Sequence, residues 1–213
     1  MPGPCFQNIA MRYYRLPLVI LACFMVGSTP VSAAAVSEAV LRMAGEVAKL
    51  KIGMGEYILG ENLTDNQKAI ARSNPIEKSL PGTYKFRDKD IFIVAVSEED
   101  ISIGIYKVYP ECTMDDIKKI VGNLMLDYGE PTTTAHDKII YWNYNKKGKI
   151  SRDVFDFEKT SGIDPLGTIK FSSSEGIDAE QSAENPTPIS AYLMITSDPL
   201  SKVFLADIKQ DNQ

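Results

Sequence analysis

The stretch from Asp90 to Tyr109, DIFIVAVSEEDISIGIYKVY, determines the fold. Residues 90–96 form a continuous run of β-branched and aromatic residues, which is typical of a strand that is covered on both faces. A polar turn follows at 97–100, and residues 101–109 then alternate between isoleucine and small or polar side chains. Because this alternation has the period of a strand, the two runs predict a β-hairpin.

The segment that follows the hairpin predicts an amphipathic helix. Thr113 can cap its amino terminus, and Asp116 stands at the third helical position, close to the capping-box pattern. The apolar residues that recur at helical spacing are Ile117, Ile120, Val121, Leu124 and Tyr128. Gly129 and Pro131 predict the end of the helix, because glycine adopts the left-handed conformation easily and proline cannot continue the helix.

The remaining elements follow from the same two periods. Four further stretches are rich in β-branched and aromatic residues and predict strands: 138–144, 150–157, 168–172 and 190–196. Two helices are predicted before the hairpin, one capped by Ser37 and one opened by the capping box at 64–67 and stopped by Pro75. Residues 199–209 fit either a helix or a closing strand, and the helical spacing favours the helix.

These elements predict an α+β fold, with a mostly antiparallel sheet of five or six strands and helices packed on one face. Residues 34–75 form an N-terminal helical segment in this interpretation, and residues 76–213 form the α+β domain. The stretch 172–188 is rich in Ser, Glu and Pro and predicts a mobile loop.

Residues 1–33 predict a cleavable secretory signal. A translation start at Met11 would give a compact signal of ordinary shape. Arg12 and Arg15 precede an apolar run at 16–27, and the small residues at 31–33 suit a signal peptidase. The run is shorter than the about 20 apolar residues of a membrane-spanning helix, so no membrane span is expected in the mature chain. The predicted location is periplasmic or secreted. The alternative is a lipid anchor at Cys23, since residues 20–23 look like a lipobox.

Removal of this signal changes both the charge and the cysteine content. Loss of Arg12 and Arg15, with no acidic residue before Ala34, takes the net charge from −5 to −7. An acidic surface repels phosphate groups, which argues against nucleic acid as a partner. Cys5 and Cys23 leave with the signal, so Cys112 is the single thiol and no intramolecular disulfide can form.

Cys112 is the candidate for redox chemistry. It stands just before a predicted helix, whose dipole lowers the pKa of a thiol near its amino terminus. The alternative is structural: Cys112 and Ile117 occupy the positions of a hydrophobic staple, and Asp115 and Asp116 oppose the thiolate. His136, the only histidine, is expected at the far end of the helix, so no Cys–His dyad is predicted. The sequence indicates no catalytic residue, metal site or cofactor.

Tyr106, Tyr141 and Trp142 are the candidate ligand-binding residues. Consecutive strand residues point to opposite faces, so Tyr141 and Trp142 cannot both lie in one surface. If a helix covers Trp142, Tyr141 joins Tyr106 on the opposite face, where exposed aromatic rings would form a groove for a peptide, glycan or partner strand. Core packing with cross-strand aromatic pairs is the alternative.

Two motifs carry a resemblance to a known family. Residues 128–131, Tyr-Gly-Glu-Pro, end the predicted helix, and residues 141–144 have the form Tyr-Trp-x-Tyr. This arrangement resembles the small envelope lipoproteins of the outer-membrane assembly group, in which a helix closes on a Gly-x-Pro turn before an aromatic strand. The order of elements differs from that family, because a hairpin precedes this helix.

The sequence therefore favours a non-catalytic periplasmic binding or envelope-assembly protein, whose partner is another envelope protein or a peptide. The alternative is an exported thiol-dependent redox protein or enzyme that uses Cys112. A third alternative is eukaryotic secretion, in which Asn62 of the Asn-Leu-Thr motif would carry a glycan.

Overall fold

A computed structural model describes residues 36–177 and 188–211 of the chain. The predicted signal sequence, with Cys5, Met11 and Cys23, and residues 178–187 of the predicted loop lie outside the described residues. Five helices occur in the described ranges: α1 Glu38–Ala48, α2 Asp65–Ser73, α3 Met114–Tyr128, α4 Arg152–Thr160 and α5 Asp198–Asp211. None of them is both long and apolar enough to cross a bilayer.

The strands confirm an α+β fold with an antiparallel sheet. Their bounds are β1 Gly53–Met54, β2 Tyr57–Ile58, β3 Pro75–Ile76, β4 Thr83–Asp88, β5 Ile91–Val96, β6 Ser102–Cys112, β7 Thr133–Ala135, β8 Ile139–Asn145, β9 Gly148–Lys149, β10 Gly167–Ser173 and β11 Ile189–Thr196. Strands β1 and β2 form a separate small hairpin. The other nine form one open sheet in the order β3-β4-β5-β6-β11-β10-β8-β7, with β9 paired to β8.

The prediction of five or six strands was too low. Strands β3, β7 and β9 are only two or three residues long, and such short segments cannot show the alternation that identifies a strand. The six-residue strand β4 was also missed. The long strands β5, β6, β8, β10 and β11 lie where the sequence predicts them, and so does the helix α5.

The predicted strand at 150–157 is wrong, because this segment forms helix α4. The side chain of Ser151 caps the helix by accepting a hydrogen bond from the backbone N–H of Val154. Asp153 lies in the first turn, where a carboxylate interacts favourably with the helix dipole. The β-branched and aromatic residues of the segment suggested a strand, but the segment is also amphipathic at the helical period, and β propensity depends strongly on context.

The two faces of the sheet differ in burial. On one face, six residues that pair across neighbouring strands form a continuous row, here called the core row. All six are fully buried: Phe86, Ile93, Ile105, Ile195, Ile169 and Trp142. Each core-row residue lies beside one that points to the opposite, open face, since side chains alternate along a strand.

Helices α1, α3 and α5 cover the core row. Val40, Ile117 and Leu200, one from each helix, are fully buried in the same hydrophobic cluster as the core row. Helix α4 instead borders the open face, where its residues line a groove together with Thr168 and Lys170 of β10. The sequence predicted that the helices pack on one face, and α4 departs from this prediction. The departure was not foreseen, since the α4 segment was predicted to be a strand.

The predicted capping box of α3 is present. The Thr113 hydroxyl accepts from the Asp116 backbone N–H at 3.1 Å, and Asp116 Oδ2 accepts from the Thr113 backbone N–H at 2.9 Å. Tyr128 ends the helix, and its ring centre lies 6.0 Å from that of Trp142. Helix α3 is thereby fixed against the β8 end of the core row.

Candidate binding surface on the open face

Six side chains form a continuous row across the open face of the sheet. They come from neighbouring strands β4, β5, β6, β11, β10 and β8, and each is the register partner of the next. In this order they are Arg87, Phe92, Tyr106, Met194, Lys170 and Tyr141, here called the open row. Met194 is 38% exposed, and the other five are partly or largely exposed.

Contacts within the open row hold its aromatic rings in place. The guanidinium of Arg87 lies 5.5 Å from the centre of the Phe92 ring. The rings of Phe92 and Tyr106 stack with their centres 4.8 Å apart and their planes 7° apart. At the other end, Lys170 Nζ lies 5.8 Å from the centre of the Tyr141 ring. Because the rings are already ordered, a ligand would lose little side-chain entropy on binding them.

Helix α4 turns the β8 end of the open row into a groove of about 800 Å³. Tyr141, Lys170 and Met194 form its floor. Phe155 and Lys159 of α4 form one wall, and the Lys159 ammonium lies 5.8 Å from the centre of the Phe155 ring. Two lysine–aromatic pairs therefore face the same groove.

The groove is lined by three cationic side chains, Arg152, Lys159 and Lys170, and by two carboxylates, Asp156 and Asp198. Arg152 contributes one cation, but its Nε lies 3.7 Å from an Asp156 oxygen. Within the described part of the chain, Lys159 and Lys170 form no ion pair with a carboxylate, and each has an aromatic ring as its partner. These two ammonium groups are available to an anionic ligand, because an aromatic ring does not neutralise their charge.

The structure brings together two of the three predicted ligand-binding residues. Tyr106 and Tyr141 lie in the open row, with Met194 and Lys170 between them. Trp142 belongs to the core row, is fully buried, and donates a hydrogen bond from Nε1 to the Gly129 carbonyl at 2.7 Å.

Several groove residues were not singled out from the sequence, among them Met194, Lys170 and Phe155. The alternation in 190–196 places Met194 on the same face as Tyr192, so Met194 could have been found from that pattern. Lys170 could have been found in the same way from the alternation in β10. Phe155 could not, because the segment that contains it was predicted to be a strand.

Cys112 lies at the carboxyl end of β6, opposite Ile189 of β11. It is buried in the same hydrophobic cluster as Ile117, and its Sγ donates to the Tyr109 carbonyl at 3.6 Å. Burial raises the pKa of the Cys112 thiol, and the nearby negative charge of Asp116 raises it further. Burial and charge therefore both favour the unreactive thiol over the thiolate.

His136 does not lie beside Cys112. It is exposed in the turn between β7 and β8, where it adopts a positive φ of 54°. Strands β11 and β10 separate β6 from β8, so about 14 Å of sheet lies between the two residues. This distance is far beyond hydrogen-bond reach, and the geometry provides no Cys–His dyad.

Cys112 is expected to alkylate slowly in the folded protein. With iodoacetamide at neutral pH, we expect labelling at least about tenfold slower than that of a free cysteine, because the thiol is buried and its thiolate fraction is small. Mass spectrometry of the Cys112 peptide measures the rate, and the same protein in urea is the control. Labelling of the native protein as fast as in urea would contradict the buried, protonated state.

Among residues 36–177 and 188–211, no three His, Cys, Asp or Glu side chains are grouped so that they could hold a metal ion. No protein-family model, curated protein or solved structure matches the chain.

Proposed function

We propose that this chain is a non-catalytic binding protein of the bacterial envelope, periplasmic after export, and that its open face binds an acidic peptide segment of another envelope protein. The observation that carries this proposal is the open row, which ends in a groove with two unpaired lysines. Export rests on the predicted signal at residues 1–33.

The length of the open row favours a peptide. Neighbouring strands lie 4.7–4.9 Å apart, so the five steps from Arg87 to Tyr141 span about 24 Å. An extended peptide rises about 3.3 Å per residue, and about seven residues would cover this span. A compact small molecule would occupy only the groove at the β8 end.

The chemistry of the groove favours acidic residues on that peptide. Lys159 and Lys170 offer ammonium groups that carboxylates of the partner can pair with. Tyr141 and Phe155 offer rigid aromatic surface, and the flexible thioether of Met194 adapts to different apolar side chains. We infer a partner segment that combines Asp or Glu residues with apolar residues.

A labelled extended peptide of glutamate and phenylalanine tests this binding directly. Fluorescence anisotropy with the exported protein should show saturable binding that weakens as salt is added, because the contacts with Lys159 and Lys170 are partly screened. The control peptide has lysine in place of every glutamate and should not bind. Equal binding of the two peptides, or no binding of either, would contradict the proposal.

Export is tested by the mass of the protein recovered from the periplasm. Expression of the full chain in a Gram-negative bacterium should give a soluble periplasmic protein that begins at Ala34, because Ala33 ends the predicted cleavage site. A periplasmic chain starting with a lipid-modified Cys23 would support the anchored alternative. Recovery only from the cytoplasm, with the first residues intact, would contradict export.

A further inference from the structure

A second row of side chains lies beside the open row, on the same face of the sheet. Thr196 of β11, Thr168 of β10 and Asn143 of β8 are register partners, and each stands two residues along its strand from a member of the open row. All three line the groove, and they are here called the polar row. Because threonine and asparagine are small and polar, the polar row offers hydrogen-bonding groups next to the aromatic rings of the open row.

Asn143 is the most firmly held member of the polar row. It is only 2% exposed. Its backbone N–H donates to the Thr132 hydroxyl at 3.0 Å, and its backbone carbonyl accepts from the Ile150 N–H at 2.9 Å. Its side-chain Oδ1 accepts from the Thr168 hydroxyl at 3.0 Å. One end of the side-chain amide is therefore fixed, and this fixes the position of the other end, Nδ2.

The Nδ2 group of Asn143 has no hydrogen-bond partner among the described residues, although it carries two N–H donors. In the described ranges, the buried and half-buried side chains have one solvent-shielded polar atom without a partner, and that atom is Glu158 Oε2. Nδ2 is therefore not shielded, and it opens onto the groove that Asn143 lines. An almost fully buried side chain thus presents free donors to the groove.

The charges around Asn143 favour an anion as the acceptor. Lys170 lies diagonally opposite Asn143 on the neighbouring strand, at a spacing of about 7–8 Å that a long side chain can bridge. Of the two carboxylates of the groove, Asp156 lies beside Arg152, with 3.7 Å between its Oδ2 and the guanidinium Nε. Asp198 follows the end of β11, on the side of the polar row that is away from Lys170.

We infer that Asn143 binds the side-chain carboxylate of an Asp or Glu residue in the peptide segment on the open face. One carboxylate oxygen accepts from Nδ2, and the ammonium of Lys170 balances the charge, which gives the stronger, charge-assisted kind of hydrogen bond. This inference rests on the proposed function and names Asn143 as the residue that determines its specificity for acidic side chains.

Two peptides with amidated carboxyl termini test the carboxylate. One is the glutamate–phenylalanine peptide, and the other has glutamine in place of every glutamate. In fluorescence anisotropy with the exported protein, the glutamate peptide should bind at least about tenfold more tightly, because only a carboxylate forms the charge-assisted bond. Failure of both peptides to bind would contradict the proposed function itself. Equal binding of the two, or binding only when the carboxyl terminus is free, would overturn the role of Asn143 alone.

Asn143→Asp and Asn66→Asp form a matched pair of variants. Asn143→Asp keeps the size of the side chain and an acceptor for Thr168, but it replaces the donors of Nδ2 with an oxygen. It should weaken the glutamate peptide at least about tenfold and change the glutamine peptide less than about threefold, since a glutamine amide can donate to the new carboxylate. Asn66→Asp makes the same change on the exposed surface of α2 and should alter both affinities less than about threefold. An equal effect of Asn143→Asp on both peptides, or none on either, would overturn the inference.

The side-chain amide of Asn143 also reports on this contact without any substitution. In the ¹⁵N-labelled exported protein, the Nδ2 proton resonances should move downfield as the glutamate peptide saturates the protein, because a hydrogen bond to a carboxylate deshields the proton. The glutamine peptide should cause a smaller shift. Resonances that stay in place at saturation with the glutamate peptide would overturn the inference, even if Asn143→Asp fails to fold.

Discussion

Replacing Trp142 with alanine is expected to lower the free energy of unfolding by about 3–5 kcal/mol, the usual cost of truncating a buried large aromatic side chain. Trp142 is fully buried at the β8 end of the core row, where it contacts the ring of Tyr128. Its hydrogen bond to the Gly129 carbonyl also joins β8 to the end of α3. The substitution therefore removes both packing and the link between sheet and helix.

Urea unfolding followed by far-ultraviolet circular dichroism measures this loss, since Trp142 is the only tryptophan and fluorescence would lose its reporter. Tyr141→Ala is the matched control, because Tyr141 is the neighbouring residue on the opposite face and is partly exposed. It should cost no more than about 1 kcal/mol, the value of a cross-strand pair. An equal loss in both variants would mean that the two faces have been assigned wrongly.

The double variant Lys159→Glu/Lys170→Glu is expected to weaken binding of the glutamate–phenylalanine peptide by about 10- to 100-fold. It replaces the two unpaired ammonium groups of the groove with carboxylates that repel the peptide. Both side chains are partly or largely exposed, so stability should change little. Anisotropy titration at fixed salt concentration measures the affinity.

Lys118→Glu/Lys119→Glu is the control for that double variant. It changes the net charge by the same amount on the exposed surface of α3, far along the chain from the groove residues. It should alter the affinity less than about threefold, the part that long-range electrostatics can contribute at moderate salt. If it weakens binding as much as the groove variant does, the effect is due to net charge and the groove is not the site.

The fold was predictable wherever local signals were strong. Helix α3 has a capping box, an apolar stripe and a glycine–proline end, and all three were visible in the sequence. The turn after β5 similarly identified the hairpin that places Phe92 beside Tyr106. The period of two along β8 also predicted that Tyr141 and Trp142 lie on opposite faces, which the structure shows.

The candidate groove was much less predictable, because it depends on contacts between distant parts of the chain. Met194 lies between Tyr106 and Lys170 only because β11 is inserted between β6 and β10, and no local pattern encodes that strand order. The wall of the groove depends on α4, which is amphipathic at the helical period but whose β-branched and aromatic residues led to the prediction of a strand. Tyr106 and Tyr141 were therefore found, whereas Lys170 and Phe155 were not.

The most direct test of the open face as a binding surface is a map of amide chemical shifts by NMR spectroscopy. The glutamate–phenylalanine peptide is titrated into the isotope-labelled exported protein, and residues that shift are located on the sheet. We predict that the largest shifts occur at the open row, from Phe92 through Tyr106 and Met194 to Tyr141, and along α4. Shifts confined to α3, with the open row unchanged, would contradict binding at the open face.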